Sequence, residues 1–343
     1  MKILLCTGIF IPEPGGPANY TLKLATLLKQ AGHSPRVLCY SDEESYVGDQ
    51  TLSFPVDRVK RTTSKLKNYK HYYRRAKAHI KEVDVVYSLD WFSAGIPLAF
   101  ACKRAGKSYA LRVGGGYIWE KYLSQGKKPM SLEQFYKKGA YKKYPLMKLL
   151  MGYVFKNAKR IAFNSEKQKN FFQEAYKLSE EKLLVIENPI PNVSAAEEAK
   201  RGKTIIFAGR FNAKNNVSLL IDAFESVAEK GFTLVLIGEG PEKAKLLKQA
   251  EDKPYASKIF FKKTLTQEDL FDQLSTCYLA VLPSWTDISP NFANECRALK
   301  APFIISKENY LPYASQIPNQ FDPASAEELK ALLLKLADEG EYQ

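Results

Sequence analysis

The strongest chemical signal runs from Pro283 to Glu295, where Pro-Ser-Trp-Thr-Asp-Ile-Ser-Pro-Asn-Phe-Ala-Asn-Glu follows an apolar run and leads into a helical pattern. Its two carboxylates, Asp287 and Glu295, stand eight residues apart and bracket a short polar loop. Carboxylates in such a place accept hydrogens from sugar and ribose hydroxyls, while the N–H groups that open the helix, near Asn291 and Phe292, suit a phosphate. A second signal is Gly209-Arg210 with Lys214, directly after a buried-strand pattern and before a helix. Arginine offers a forked donor set and lysine a point charge, a combination suited to a diphosphate at the edge of a parallel sheet. A third is Gly15-Gly16 in the loop Pro12-Glu13-Pro14-Gly15-Gly16-Pro17, where missing side chains let backbone N–H groups approach an anion at a helix N-terminus. Taken singly, each has an ordinary reading: an acidic helix start, a solvated pair of cations, a plain turn. Their shared position after strands is what points to an anionic ligand.

The elements that must position these residues alternate. A strand is predicted over 2–11, then the glycine loop, a helix patterned by Tyr20, Leu24, Leu27 and Leu28 and ended by Gly32, and a strand over 36–40. Further strands are predicted over 83–88 and 108–113, with a helix over 94–105 between them. Residues 114–160 break the rhythm with Lys, Tyr, Phe and Met and are read as a basic insertion of helices and loops. Strands resume at 160–164 and 182–186, and the polar stretch 194–202 is read as a linker. A second series follows: strand 204–208, helix 217–230, strand 232–237, the turn Gly238-Glu239-Gly240-Pro241 and another helix. Strand 278–283 comes next, and strand 302–306 is read as the last, with a helix near 327–337. The fold class expected is α/β: two doubly wound, parallel-sheet domains of Rossmann type, 1–192 and 193–343, facing each other across a ligand-binding cleft.

Composition narrows the function. The chain has 343 residues, enough for two cores, and a net charge of +14. That charge is one-sided: residues 1–192 hold 33 Lys and Arg against 16 Asp and Glu, the remainder 18 against 21. An anionic partner is therefore expected for the first half: a membrane surface, a phosphorylated acceptor or nucleic acid. The five cysteines form no CxxC pair and the three histidines form no HExxH pattern, so neither a disulfide framework nor a metal site is expected. No apolar run reaches the ~18–20 residues that cross a bilayer, and the apolar start is broken by Thr7 and Gly8. A cytoplasmic enzyme, peripheral at the inner membrane face, is the expectation.

The order and spacing of the Pro-x-x-Gly-Gly loop, the Gly209-Arg210…Lys214 site, the Ile237-Gly238-Glu239-Gly240-Pro241 turn and the Asp287-x7-Glu295 segment resemble the retaining GT-B glycosyltransferases of the family 4 type, also called glycosyl transferases group 1. The resemblance spans nearly the whole chain, with 1–192 implied to bind acceptor and 193–343 donor. It implies that Arg210 and Lys214 clamp the donor diphosphate, with Gly209 beneath them and Gly15 and Gly16 approaching from the other domain. Glu295 would hold the ribose, Asp287 the donor sugar, Asn291 and Phe292 the sugar and phosphate through their amides. Gly238 and Pro241 would flank the base. Arg210, Lys214 and Asp287 are the expected catalytic residues, and Asp90, Arg112 and Tyr117 the expected acceptor contacts. The implied reaction moves a sugar from a nucleotide-sugar, UDP- or GDP-linked, to a glycan or lipid-linked acceptor, by a front-face route without metal or other cofactor. The partners implied are donor, acceptor and an anionic membrane surface, with no nucleic acid.

Four departures from the family pattern stand out. Asp287 replaces the usual glutamate, and the Arg-to-Lys spacing is one residue tight. Leu89 replaces a histidine before Asp90-Trp91, and no long helix follows 327–337, so looser domain closure is expected. Two rival readings keep less of the pattern. A nucleotide-sugar epimerase or phosphorylase would need acid/base residues or a pyridoxal lysine site, and a nucleic-acid-binding protein would use the basic half. Helix 146–155, apolar and flanked by lysines, is the expected membrane or acceptor contact.

Overall fold

The computed structural model describes residues 1–13, 15–193 and 201–339. Compactness divides the chain into two units: Met1–Ile118 with Tyr136–Ile186, and Trp119–Phe135 with Glu187–Gln343. This differs from a single cut after residue 192 in two ways. The division falls after Ile186, and a piece of the expected insertion belongs to the second unit. The linker expected over 194–202 lies outside the described residues from 194 to 200, as does Pro14 of the glycine loop.

The chain runs β1 (Lys2–Thr7), α1 (Gly16–Gln30), β2 (Ser34–Ser41), β3 (Val56–Lys60), α2 (Lys65–Ile80), β4 (Val85–Ser88), α3 (Gly95–Ala105) and β5 (Ala110–Val113). Then come α4 (Tyr117–Ser124), α5 (Leu132–Lys137), α6 (Pro145–Asn157), β6 (Arg160–Phe163), α7 (Glu166–Tyr176) and β7 (Leu183–Val185). The seven strands form one parallel sheet in the order β3-β2-β1-β4-β5-β6-β7. β1 is buried from Ile3 to Thr7, as a strand covered on both faces must be. It is shorter than the expected 2–11 because its partners run out: Thr7 pairs with Cys39, Cys6 with Ser88, and the Thr7 hydroxyl then donates to Ile9 O and turns the chain. Helix starts are set by side chains, Ser64 accepting from Lys67 N and Ser165 from Gln168 N. Gly106 ends α3 in the left-handed region.

The second series is β8 (Thr204–Ala208), α8 (Val217–Ala223), α9 (Glu225–Ala228), β9 (Thr233–Ile237), α10 (Lys243–Glu251), β10 (Ile259–Lys262) and α11 (Gln267–Thr276). It continues with β11 (Leu279–Leu282), α12 (Asn291–Ala298), β12 (Phe303–Ser306), β13 (Gln320–Phe321) and α13 (Ala326–Asp338). Six parallel strands stand in the order β10-β9-β8-β11-β12-β13. Successive residues serve two cores. Ile205, Phe207, Leu234, Leu236 and Val281 face one, while Ile206, Val235, Ile237, Ala280 and Leu282 face the other. The strand over 302–306 is therefore not the last, since β13 pairs with it. The single helix expected over 217–230 is two pieces. At Phe224 the bonds tighten, its carbonyl accepting from both Val227 N and Ala228 N.

Candidate donor-binding site

In the second unit the C-terminal ends of β8, β9 and β11 carry the expected residues. Gly209 N donates to Ile237 O at 3.0 Å, so the chain leaves β8 still tied to β9. Phe211, fully buried, then anchors the next strand's turn: its N–H donates to Glu239 O at 2.9 Å and its carbonyl accepts from Glu242 N at 3.0 Å. That turn needs glycine at Gly238, whose φ is 147°. A Cβ there would lie 3.0 Å from the Gly209 carbonyl carbon and closer still to its oxygen. Local side chains shape the cation loop. Asn212 caps Asn215 N at 3.1 Å, and Asn215 Nδ2 donates to Arg210 O at 2.7 Å. Arg210 is left exposed to solvent, with no ion-pair or hydrogen-bond partner for its guanidinium among the described residues.

Lys214 ties this loop to the carboxylate loop, its carbonyl accepting from Trp285 N at 2.8 Å. Asp287 is fixed as a short extended piece: its N–H donates to Glu308 O at 2.9 Å and its carbonyl accepts from Tyr310 N at 2.8 Å. Asp287 Oδ2 is buried without a hydrogen-bond partner among the described residues. Burial pushes this carboxyl from 3.8 up to about 6, against the opposing pull of the Lys214 ammonium and a hydrogen bond with Ser284. The Lys214 ammonium is held above its ordinary value, first by Glu120 and then by Asp287, with burial and Arg210 acting the other way. Arg210, Lys214 and Asp287 therefore form one electrostatic group.

The α12 helix opens after Pro290 with no side-chain cap, so the N–H groups of Asn291 and Phe292 lie in its uncapped first turn. Glu295 is one turn further on the same face as Asn291 and is reached by Gln267 Nε2 at 3.5 Å. Asn188 Nδ2 donates to Ser289 O at 2.9 Å and to Asn291 Oδ1 at 3.1 Å, bracing the loop. Sequence reasoning gives Asn188 no role. It missed Glu120 altogether: Glu120 Oε1 is 3.4 Å from Lys214 Nζ, 94 residues away in the chain, and no local pattern announces that pair.

In the first unit, Gly15 and Gly16 open α1 directly beyond β1, Gly15 with φ 153°. Two of the residues expected to touch acceptor, Arg112 and Asp90, make contacts within the unit. Arg112 is 4% exposed. Its guanidinium lies 4.4 Å from the Tyr20 ring centre and donates to Ile186 O at 3.0 Å, because a buried arginine must spend its donors and charge on nearby groups. Asp90 caps the β4–α3 turn: Oδ1 accepts from Phe92 N at 2.6 Å and Ser93 N at 3.0 Å, while Oδ2 accepts from Ala94 N and the Ser93 hydroxyl. Tyr117 stacks on Phe92 with ring centres 3.8 Å apart. Among the described residues, no helix is long and apolar enough to cross a membrane.

Comparison with known proteins gives consistent relatives. The model described as Glycosyltransferase Family 4 matches residues 14–192 and that described as Glycosyl transferases group 1 matches 191–343. A sequence comparison with curated proteins finds no match. Among solved structures, sucrose-phosphate synthase from Thermosynechococcus elongatus has a TM-score of 0.75 at 14% identity, covering 98% of this chain and 90% of that one. Anabaena HepE in complex with UDP scores 0.69 at 16% identity, covering 99% and 90%. The lipopolysaccharide outer core galactosyltransferase WaaB scores 0.66 at 15% identity, covering 100% and 92%. At such identities these likenesses establish the fold alone, two parallel-sheet Rossmann-like units of the GT-B type.

Proposed function

The chain belongs to glycosyltransferase family 4, and from that premise we propose that this enzyme transfers a sugar from a UDP- or GDP-sugar to a glycan or lipid-linked acceptor, with retention of configuration. The observation that carries the donor assignment is the electrostatic group of Arg210, Lys214 and Asp287 on adjoining loops of one unit. Arg210 supplies an exposed fork and Lys214 a point charge for the diphosphate. The Asp287 carboxyl takes a donor-sugar hydroxyl, the Asn291 and Phe292 amides complete the phosphate contacts, and Glu295 takes the ribose. Gly238 and Pro241 flank the base. HepE was solved with UDP, which supports a nucleoside diphosphate as the class of ligand.

As the bond from the anomeric carbon to the phosphate oxygen breaks, negative charge gathers on the leaving diphosphate, and the two cations stabilise it. The acceptor hydroxyl attacks from the same face and gives its proton to that departing oxygen. The reading thus calls on no side chain as nucleophile and no metal. Asp90, Arg112 and Tyr117, the last stacked on Phe92 beyond β5, are the acceptor contacts proposed in the first unit. The exposed side of α6, with Leu146 and Leu149 at 67% and 70% exposure beside Lys142, Lys143 and Lys148, supports peripheral docking on an anionic cytoplasmic membrane face. Met151, Val154 and Phe155 of the same helix are buried.

The test is a metal-free thermal-shift screen of UDP, GDP, ADP and dTDP and their sugars, on the wild type and Arg210→Ala. A ligand bound only by the folded state raises its stability by mass action. The expected result is selective stabilisation by one uridine or guanosine family, lost in Arg210→Ala. An equal shift in both proteins would remove Arg210 from the donor site, and an inverted anomer in the product would overturn retention.

A further inference from the structure

Resting on the donor reading above, we propose that Glu120 is a donor-site residue whose carboxylate occupies the Lys214 ammonium when no nucleotide is bound, and that the donor diphosphate and this carboxylate exchange on Lys214 in each turnover. The pair is made inside the second unit, by a segment, Trp119–Phe135, that the sequence would assign to the first. That segment is a firm platform. Trp119 Nε1 donates to Met130 O at 2.8 Å and the Tyr122 hydroxyl to Lys128 O at 2.6 Å, closing it on itself. Its far end docks on the carboxylate loop: Leu132 N donates to the Thr286 hydroxyl at 2.9 Å and Glu133 N to the Tyr310 hydroxyl at 3.2 Å. Thr286 and Tyr310 flank Asp287 on the two paired pieces of chain. Glu120 is therefore delivered to Lys214 by a built element and not by a loose side chain on a neighbouring loop.

Charge favours the exchange. Lys214 already has the carboxylates of Glu120 and Asp287 as neighbours, Glu120 at 3.4 Å, and a diphosphate adds further negative charge. Anions gathered about one ammonium repel, which disfavours the Glu120 contact when the diphosphate arrives. Asp287 is held by its backbone and buried. The Glu120 carboxylate, though carried on a fixed element, has water to turn into: its side chain is 38% exposed and that of Lys214 34%. An ion pair so open to water is weak, which suits a partner that must leave for the donor. On product release the same carboxylate returns and speeds departure of the nucleoside diphosphate.

The experiment measures affinity and dissociation rate of UDP and GDP, by calorimetry and stopped flow, on the wild type, Glu120→Gln, Lys214→Met and the double variant. Glu120→Gln is expected to bind the preferred nucleotide about two- to fivefold more tightly, chiefly through slower dissociation, with the gain fading at high salt. In the Lys214→Met background the same substitution is expected to change nothing. Unchanged or weaker binding by Glu120→Gln, with Lys214→Met weakened, overturns the exchange and leaves the donor reading standing. Unchanged binding by Lys214→Met, or no nucleotide binding by the wild type, overturns the donor reading and the exchange with it. Thermal melting of each variant separates these outcomes from loss of fold.

Discussion

Replacing Gly238 with alanine tests the architecture of the donor-binding unit at its tightest point. The residue has φ 147°, and a Cβ would press on the Gly209 carbonyl, 3.0 Å from its carbon. Gly209 cannot give way freely, since its own N–H is bonded to Ile237 O. Holding an L-residue in that backbone region costs ~1–3 kcal/mol, and forcing atoms into a filled space costs ~1–3 kcal/mol more. The sum, roughly 2–6 kcal/mol, corresponds to at least about 4 °C in the melting of a unit of this size. Gly202→Ala is the control, because there the nearest atom to a new Cβ is 3.8 Å away and φ is not in the positive region. Fluorimetric melting of both variants, with and without saturating nucleotide, reads the outcome. Expected are a fall for Gly238→Ala, a near-zero change for Gly202→Ala, and a smaller ligand-induced shift in the former. A Gly238→Ala melting point within about 2 °C of wild type would refute the steric reasoning.

Four further outcomes are expected. Asp287 has a folded-state value of about 6 against an ordinary 3.8, so its contribution to stability is present below about pH 4 and lost as pH rises through 6. Asp287→Asn is accordingly expected to melt higher than wild type at pH 7.5 while losing activity, with the difference vanishing near pH 4. Lys214→Met should move the Asp287 titration to higher pH, as followed by carboxyl-selective NMR. Arg112→Met is expected to cost about 2–4 kcal/mol from its lost charged hydrogen bond and ring contact, with nucleotide affinity unchanged; acceptor binding as strong as in the wild type, once folding is matched, would remove Arg112 from the acceptor site. Leu146→Ser with Leu149→Ser should weaken co-sedimentation with anionic liposomes and leave the melting point near wild type, and sedimentation independent of anionic lipid would count against membrane docking.

The parts of the fold legible in the sequence are those with continuous apolar strands followed by glycine. Thr204–Ala208 before Gly209 and Thr233–Ile237 before Gly238 are such cases, where burial on both faces leaves an unbroken apolar run. The stretch from β3 to α2 gave no comparable signal. β3 is an edge strand whose Arg58 is buried against Asp49, and α2 buries only Tyr72, Ala76 and Ile80 in a run dense with Lys and Arg. β10 and β13 were missed as short edge strands. Arg210, Lys214 and Asp287 could be singled out because strand ends in a parallel sheet collect ligands. Arg112 and Asp90 lie at such ends too, and only three-dimensional neighbours reveal that one Arg112 nitrogen donates to a backbone carbonyl and that Asp90 accepts from backbone N–H groups. Glu120 was out of reach for the opposite reason: its partner is fixed by tertiary packing alone.

The assignment of Trp119–Phe135 to the second unit means that the chain passes between units three times, after Ile118, Phe135 and Ile186. During synthesis this segment is made before most of the unit it completes. Glu120 precedes Lys214 by 94 residues, a wait of about 5–20 s at ribosomal rates of ~5–20 residues per second. The backbone N–H groups of Leu132 and Glu133, bonded in the finished protein to the Thr286 and Tyr310 hydroxyls, wait longer still. A fragment beginning at residue 187 would lack this segment and with it the Glu120 partner of Lys214.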